Sequence, residues 1–461
     1  MRNDTLLSIL ADFTANLKYE DLPPKVISKA NDVIFDFIGC YYGALADFNN
    51  KKILRFAIEH SAGKDSSLWG TGKRLSSDEA ALAMGYCGYS LEYDDGVSLA
   101  GHWGSSSIPA IFSVAEKYKA SEKDIIAAVV CAYEVGTRIS RIYSKSMLEH
   151  KIHFPGAMGF YAAAAGVAKI MKLNSEQIAK GLANGGLASI SPYSTAVSGA
   201  RIKSMYSGWP NFLGIRLMEL ARTDVGGDID VFESVDGLGV VLSGQPLSDE
   251  KRANALANLG KEYMLLQSYF KPYPCCRWLH APLYLLEKIL AENSNKNITQ
   301  IIVRGPKFIN LYNTRGDYSQ TVKAQYSIPY TLAAMLLHHR CGIEEFSDTF
   351  RTSAAIRKTA DMIKIAEDDE AEKLFPERFQ ITLAVRFDDG SYVEKTGGLP
   401  WCPDLPATKD ELILKFKRLT TAILGCRNGD AIVKLYKSGF EITGAFRQLV
   451  RILNRKVIDI I

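Results

Sequence analysis

The sequence predicts a mainly α-helical protein, with one large all-helical domain built from both chain ends and a smaller α+β lid domain inserted into it. Three observations predict this. Residues 1–265 carry apolar side chains at helical spacing, segment after segment. After about residue 265 the pattern changes to β-rich, alternating runs separated by shorter helical stretches. From Lys409 to Ile461 helical spacing returns. The expected division is therefore 1–267 with 401–461 as the helical domain and 268–400 as the α+β lid.

In the first part, a helix is expected from Asp21-Leu22-Pro23-Pro24 onward, entered through the prolines and left through Gly39. Capping-box spacing marks three further starts, at Ser76…Glu79, at Ser121…Asp124 and at Asn174-Ser175-Glu176-Gln177. Alanine-rich runs such as Ala162-Ala163-Ala164-Ala165-Gly166-Val167-Ala168 allow helices to approach closely, which implies a tight bundle. In the middle part, Asn297–Gly305 reads as a strand. Phe379–Phe387, then Asp388-Asp389-Gly390, then Tyr392–Lys395, reads as a hairpin. Helices are expected at Ala281–Ala291 and Tyr330–His338.

A chain of 461 residues with 47 % hydrophobic and 23 % charged residues can bury a large core. The net charge of +4, from 55 basic and 51 acidic residues, is too small to imply nucleic acid as a partner. Any functional cationic character must be local. The eight cysteines are scattered without a CxxC pair, as expected for reduced thiols. The start, with its early acids, resembles neither a signal nor a transit peptide, and no apolar run approaches the roughly 20 residues of a membrane span. A cytoplasmic protein without a membrane partner is expected. HExxH, paired cysteine ligands, acidic calcium loops, GxGxxG, GxxxxGK[ST] and GxSxG are all missing from the sequence, so no metal and no cofactor are expected.

Five segments carry candidate chemistry. In Glu92-Tyr93-Asp94-Asp95-Gly96…Gly101-His102-Trp103, three carboxylates precede a glycine-bounded histidine by seven to ten residues. A carboxylate beside an imidazole fixes its tautomer and suits it to acid–base work. His153-Phe154-Pro155-Gly156 opens an alanine-rich helix, where free amides favour an anion. Arg201 and Lys203 lie in a Gly/Ser-rich stretch suited to carboxylates. Lys271, Arg277 and His280 fall at the expected junction between domains, a preferred place for a pocket. Tyr326 and Tyr330 are four apart and would share a helical face, with core packing the simpler role for at least one. Taken singly, each segment also fits a plain structural reading: a capped helix start, a surface basic pair or a linker.

Together and in this order, these segments resemble the MmgE/PrpD family. The resemblance rests on Asp94-Asp95…His102…Pro109-Ala110, Ala115-Glu116 with Tyr133-Glu134-Val135…Arg138, and His153…Gly156…Gly159. It continues through Lys203…Gly208, Lys271…Tyr273-Pro274…Cys276…His280, Tyr326…Tyr330, and Gly397-Gly398-Leu399-Pro400…Lys415-Phe416. It implies a helical domain with an α+β lid, usually as a homodimer, and a site between the two. It also implies cofactor-independent chemistry on a small polycarboxylate. 2-Methylcitrate-type dehydration is the first expectation; cis-aconitate-type decarboxylation and iminodisuccinate-type epimerisation are the alternatives. The expected catalytic groups are His102, Asp94, His153 and Tyr330, with Glu92, Lys203, Lys271, Arg277 and His280 holding substrate. Three departures fall in the substrate-contact loop. Glu92 stands where several members have Asp, and Gly96 where they have Thr; His-Trp-Gly also replaces His-Pro-Ser. These departures leave a non-catalytic carboxylate-binding protein as the reading from another class.

Overall fold

The computed structural model describes residues 4–189, 191–316 and 318–460. The fold is mainly α, as the periodicity predicts, with small sheets only. The helix Phe154–Met171 forms its centre. Every alanine in this helix is buried, and the helices Trp103–Tyr118, Glu122–Glu149 and Met205–Ala221 pack around it. Small residues make this possible: a Cβ on Gly159 would lie 2.8 Å from the Pro210 ring, and one on Gly214 would lie 2.6 Å from the Ala163 methyl.

The helix Pro24–Ala44 starts after its prolines as expected but runs through Gly39 instead of ending there. At that point the C-terminal helix Lys409–Ser438 crosses it, with the Phe416 backbone 3.6 Å from where a Gly39 Cβ would stand. Gly39 thus marks a close crossing and not a helix end. Phe35 stacks on both Phe416 and Tyr436, at 4.3 and 4.0 Å between ring centroids, fixing the two chain ends together. Of the three expected capping boxes, those at Ser121/Asp124 and Asn174/Gln177 close. Ser76 takes the N-cap position, but its side chain makes no cap bond and instead receives a hydrogen bond from Ser61 at 3.3 Å.

Two apolar cores separate near residue 271. The larger is built from residues 6–270 and 412–453, the smaller from 273–387. The smaller core lies against a four-stranded sheet in the order Ile363–Glu367, Ile298–Gly305, Ile381–Phe387, Tyr392–Gly397. The predicted hairpin is present, with Val385 opposite Val393. Tyr392–Gly397 alternates between exposed and half-buried positions, as an edge strand does. Among the pairings that the periodicity did not show, Gly96–Val97 pairs antiparallel with Ser268–Tyr269. Two-residue strands leave no alternation to read. This one ties the acidic loop to the chain entering the smaller core.

Candidate active site

The acidic loop leaves the helix Ser77–Ser90 and ends at His102, the residue before the helix Trp103–Tyr118. It turns sharply at Glu92, whose φ of 53° lies in the left-handed region that side chains disfavour. Such a turn needs support, and three distant segments supply it. Lys415 donates to the Tyr93 carbonyl at 2.6 Å while paired with buried Asp36 at 2.7 Å. Gln325 donates to the carbonyls of Leu91 and Pro274, at 2.9 and 3.1 Å. The Tyr93 phenol donates to the Pro272 carbonyl at 2.8 Å. The loop is therefore held from the C-terminal helix and from the second core together.

Five expected residues meet here within one chain. Lys203 forms an ion pair with Glu92, and Lys271 lies 3.5 Å from the other Glu92 oxygen. Lys271 also lies 3.9 Å from Asp94, whose second oxygen stands 3.4 Å from His102 Nδ1. Ammonium, carboxylate, ammonium, carboxylate and imidazole thus follow one another without a gap. All but His102 are almost fully buried; its side chain keeps 14 % exposure. His102 Nδ1 donates to the Asp95 carbonyl at 2.8 Å, which leaves Nε2 as the free ring nitrogen. Burial alone would raise the Asp94 carboxyl. The charges of His102 and Lys271, with hydrogen bonds from His102 and Ser105, hold it below the usual carboxylate range. Asp95 behaves in the opposite way: burial pushes it up to about 7, while the Tyr133 phenol donates to it at 2.6 Å. Burial, with the neighbouring charge of Lys271, pushes Lys203 well below the ordinary lysine value. The Lys203 ammonium also sits over two rings, 4.4 Å from Tyr89 and 5.2 Å from Tyr326.

His153 is the N-cap of the central helix, as expected, but one of the predicted open amides there, that of Gly156, is in use. The Gly156 N–H donates to His153 Nδ1 at 3.3 Å. An accepting Nδ1 puts the ring proton on Nε2, so His153 offers a neutral N–H donor and not a helix-end anion site. Burial, then the nearby charge of His102, lowers it to about 3. The ring stacks on Tyr206 at 4.7 Å.

A pH dependence follows with a definite sign. Between the unfolded value of 6.5 and about 3, the unfolded chain binds a proton at His153 that the folded chain does not. Stability contributed by this group is therefore complete above 6.5 and is lost as pH falls, by about 1.4 kcal/mol per unit. Asp95, raised to about 7, contributes the opposite slope, so the difference between two proteins is the clean measure. From pH 6.5 to 4.5 the wild type is expected to lose roughly 2–3 kcal/mol more than His153→Gln in denaturant unfolding. Parallel pH profiles would contradict a buried neutral ring.

Three expected site residues stand outside this charged series. Tyr330 is not among the charged groups. Its phenol donates to the Glu345 carbonyl, and its ring packs on Tyr318 and Phe346 in the smaller core, at 4.9 and 5.5 Å. The shared face with Tyr326 does not exist, because the helix Ile328–His338 begins only after Tyr326. Tyr326, not Tyr330, reaches the site. His280 is fully buried, with Nε2 3.1 Å from the Cys275 carbonyl; burial and the charges of Arg277 and Lys271 keep its ring neutral. Arg277 is buried beside Tyr269, its guanidinium 4.4 Å from the ring centre. Sequence reasoning passed over Tyr89, Tyr269 and Lys415 as functional groups. Lys415 lay within a recognised segment, but nothing in the spacing indicated that its ammonium reaches the Tyr93 carbonyl. A cleft of about 810 Å³ opens beside Lys203, lined also by Leu91, Arg201, Pro274, Gln325 and Arg351. Among the described residues, no group of three or more His, Cys, Asp or Glu is arranged to hold a metal ion, and no helix is long and apolar enough to cross a membrane.

The mainly helical fold thus carries a buried carboxylate–histidine couple beside two lysines. The chain belongs to the MmgE/PrpD family: the N-terminal domain of that family matches residues 8–250 and the C-terminal domain matches 273–437. It is similar to the cis-aconitate decarboxylase-like protein oryM of Aspergillus oryzae, at 24 % identity over 444 residues, covering 90 % of each chain. It is also similar to a cis-aconitate decarboxylase of Aspergillus terreus, at 23 % identity over 457 residues, covering 90 % of this chain and 89 % of that protein. The human cis-aconitate decarboxylase is 20 % identical over 439 residues, covering 92 % and 89 %.

Proposed function

We propose that this protein is a lyase acting on a small polycarboxylate, with His102 moving the proton and Lys203 and Lys271 holding carboxylates. The observation that carries this reading is the unbroken series Lys203–Glu92–Lys271–Asp94–His102. Decarboxylation is favoured over the dehydration first expected from the sequence, because the relatives matched over most of both chains are named cis-aconitate decarboxylases. In the proposed reaction the bond between carbon and a leaving carboxylate breaks and carbon dioxide departs. The electron pair stays on the substrate, delocalised toward a neighbouring carboxylate that the lysines and the His153 N–H stabilise. Protonated His102 then gives its Nε2 proton to carbon, with ionised Asp94 as counter-charge. The ring regains a proton from solvent, so the balance closes with one proton consumed and one carbon dioxide released. The proposed site lies at the seam of a helical domain and a lid, within a cytoplasmic homodimer, as the family resemblance implies.

The test is incubation with cis-aconitate, citrate, 2-methylcitrate and iminodisuccinate in deuterated water, followed by proton NMR. The expected result is a dicarboxylate one carbon shorter than cis-aconitate, bearing one deuterium on carbon, with release of carbon dioxide. A hydrated or dehydrated product without carbon loss would assign water elimination or addition instead. Binding of these acids without any exchange at carbon would identify a carboxylate carrier and overturn the lyase.

A further inference from the structure

A buried cation without a counter-charge is costly, so proteins pair them. Among the described residues, the buried lysines and arginines are Arg138, Lys203, Lys271, Arg277, Arg351 and Lys415. Arg138 pairs with Glu134, Lys203 with Glu92, Lys271 with Glu92 and Asp94, Arg351 with Asp348, and Lys415 with Asp36. Arg277 alone of these has no carboxylate partner. It is 5 % exposed, and its Nε and Nη2 have no hydrogen-bond partner. Its one hydrogen bond is long, from Nη1 to the Phe270 carbonyl at 3.4 Å. Burial lowers it only to about 10, so it is cationic at neutral pH.

The neighbour of Arg277 makes this more specific. The guanidinium lies over the Tyr269 ring, which restrains its plane. Tyr269 stands opposite Gly96 across the two-residue strand pair, and a Cβ on Gly96 would fall 2.5 Å from the Tyr269 hydroxyl. The missing side chain at 96 thus admits this phenol into the acidic loop. The Tyr269 ring is 6.4 Å from His102. Two unpartnered guanidinium nitrogens therefore lie against the ring of a tyrosine that itself stands next to His102.

We infer that Arg277 and Tyr269 form a separate carboxylate subsite, which takes an arm of the ligand that Lys203 and Lys271 do not hold. The inference rests on the reading of the site as one for polycarboxylates and narrows it. The lysines already face Glu92 and Asp94, whereas Arg277 receives its only counter-charge from the ligand. A planar guanidinium with two free N–H groups matches a carboxylate edge. The ligand class is then a tricarboxylate, with one arm read by Arg277 and the Tyr269 hydroxyl. Acids that lack this arm bind without it.

Calorimetric titration of the full chain with cis-aconitate and with maleate, which lacks one arm, tests this. The wild type is expected to bind cis-aconitate at least tenfold more tightly. Arg277→Met is expected to weaken cis-aconitate roughly ten- to hundredfold while maleate changes by less than about threefold. Tyr269→Phe keeps the ring under the guanidinium and is expected to weaken cis-aconitate by about three- to tenfold. It also serves as the test if Arg277→Met does not fold. In turnover, KM for the tricarboxylate should rise more than kcat falls. An unchanged preference for cis-aconitate over maleate in Tyr269→Phe and in a folded Arg277→Met overturns the subsite and leaves the lysine pair standing. A wild type that binds neither acid overturns the polycarboxylate reading and the subsite with it.

Discussion

Replacing His102 with alanine is expected to lower kcat by about 10²–10⁴-fold, the usual worth of a positioned acid–base group, with KM for the polycarboxylate changed far less. The structure gives the reason for this split. His102 stands at the end of the charged series, with Nδ1 held by the Asp95 carbonyl and Asp94, and Nε2 free. The ammonium groups of Lys203 and Lys271 are bound to Glu92 and not to the ring, so binding survives its removal. Asp94→Asn should reproduce part of the loss, because the amide keeps the shape and removes the counter-charge to the protonated ring. The measurement is steady-state kinetics with deuterium incorporation at carbon as a second readout. A His102→Ala enzyme with near wild-type kcat would take the imidazole out of the proposed mechanism.

The second large effect is expected from Lys271→Met. Lys271 is 1 % exposed and bridges Glu92 and Asp94, so its removal leaves two buried carboxylates with only Lys203 and the His102 ring beside them. Breaking a buried pair from one side usually costs about 3–5 kcal/mol. The lower end is expected here because Lys203 and His102 remain. The same change removes a donor placed to meet negative charge developing on the substrate, worth about 10²–10³ in rate. Both losses have one cause, so Lys271→Arg should recover more of the stability than of the activity: it restores a charge but not the geometry. Denaturant unfolding at neutral pH and kcat/KM measured on the same preparations check this. A Lys271→Met protein with wild-type stability and rate would contradict the bridging geometry.

Much of the fold was legible because helices announce themselves locally. The capping boxes at Ser121 and Asn174, the alternation of Ile381–Phe387 and the return of helical spacing at Lys409 are patterns within a few residues. Errors arose where distant chain decides a local matter. Gly39 looks like a helix end until the C-terminal helix is laid across it. Tyr330 looks like a site residue until its phenol is seen donating within the smaller core, while Tyr326, four residues earlier, lies over Lys203. Sequence spacing carries no information on which of two nearby tyrosines points to which core.

Residue types alone set the chemistry available: few histidines, a run of acids ahead of one of them, lysines in glycine- and proline-bounded segments, and a mainly helical scaffold. They do so because a residue's type fixes what its side chain can accept, donate or hold as charge. How those groups are paired was settled by the folding of distant segments onto one another. That folding joined Lys203, Lys271 and His102 through Glu92 and Asp94, and left Arg277 as a buried cation without a carboxylate partner among the described residues. Coulombic and hydrogen-bond energies depend on separation in space and on exclusion of water. Residues 92, 203, 271 and 277 acquire both only when the chain closes on itself.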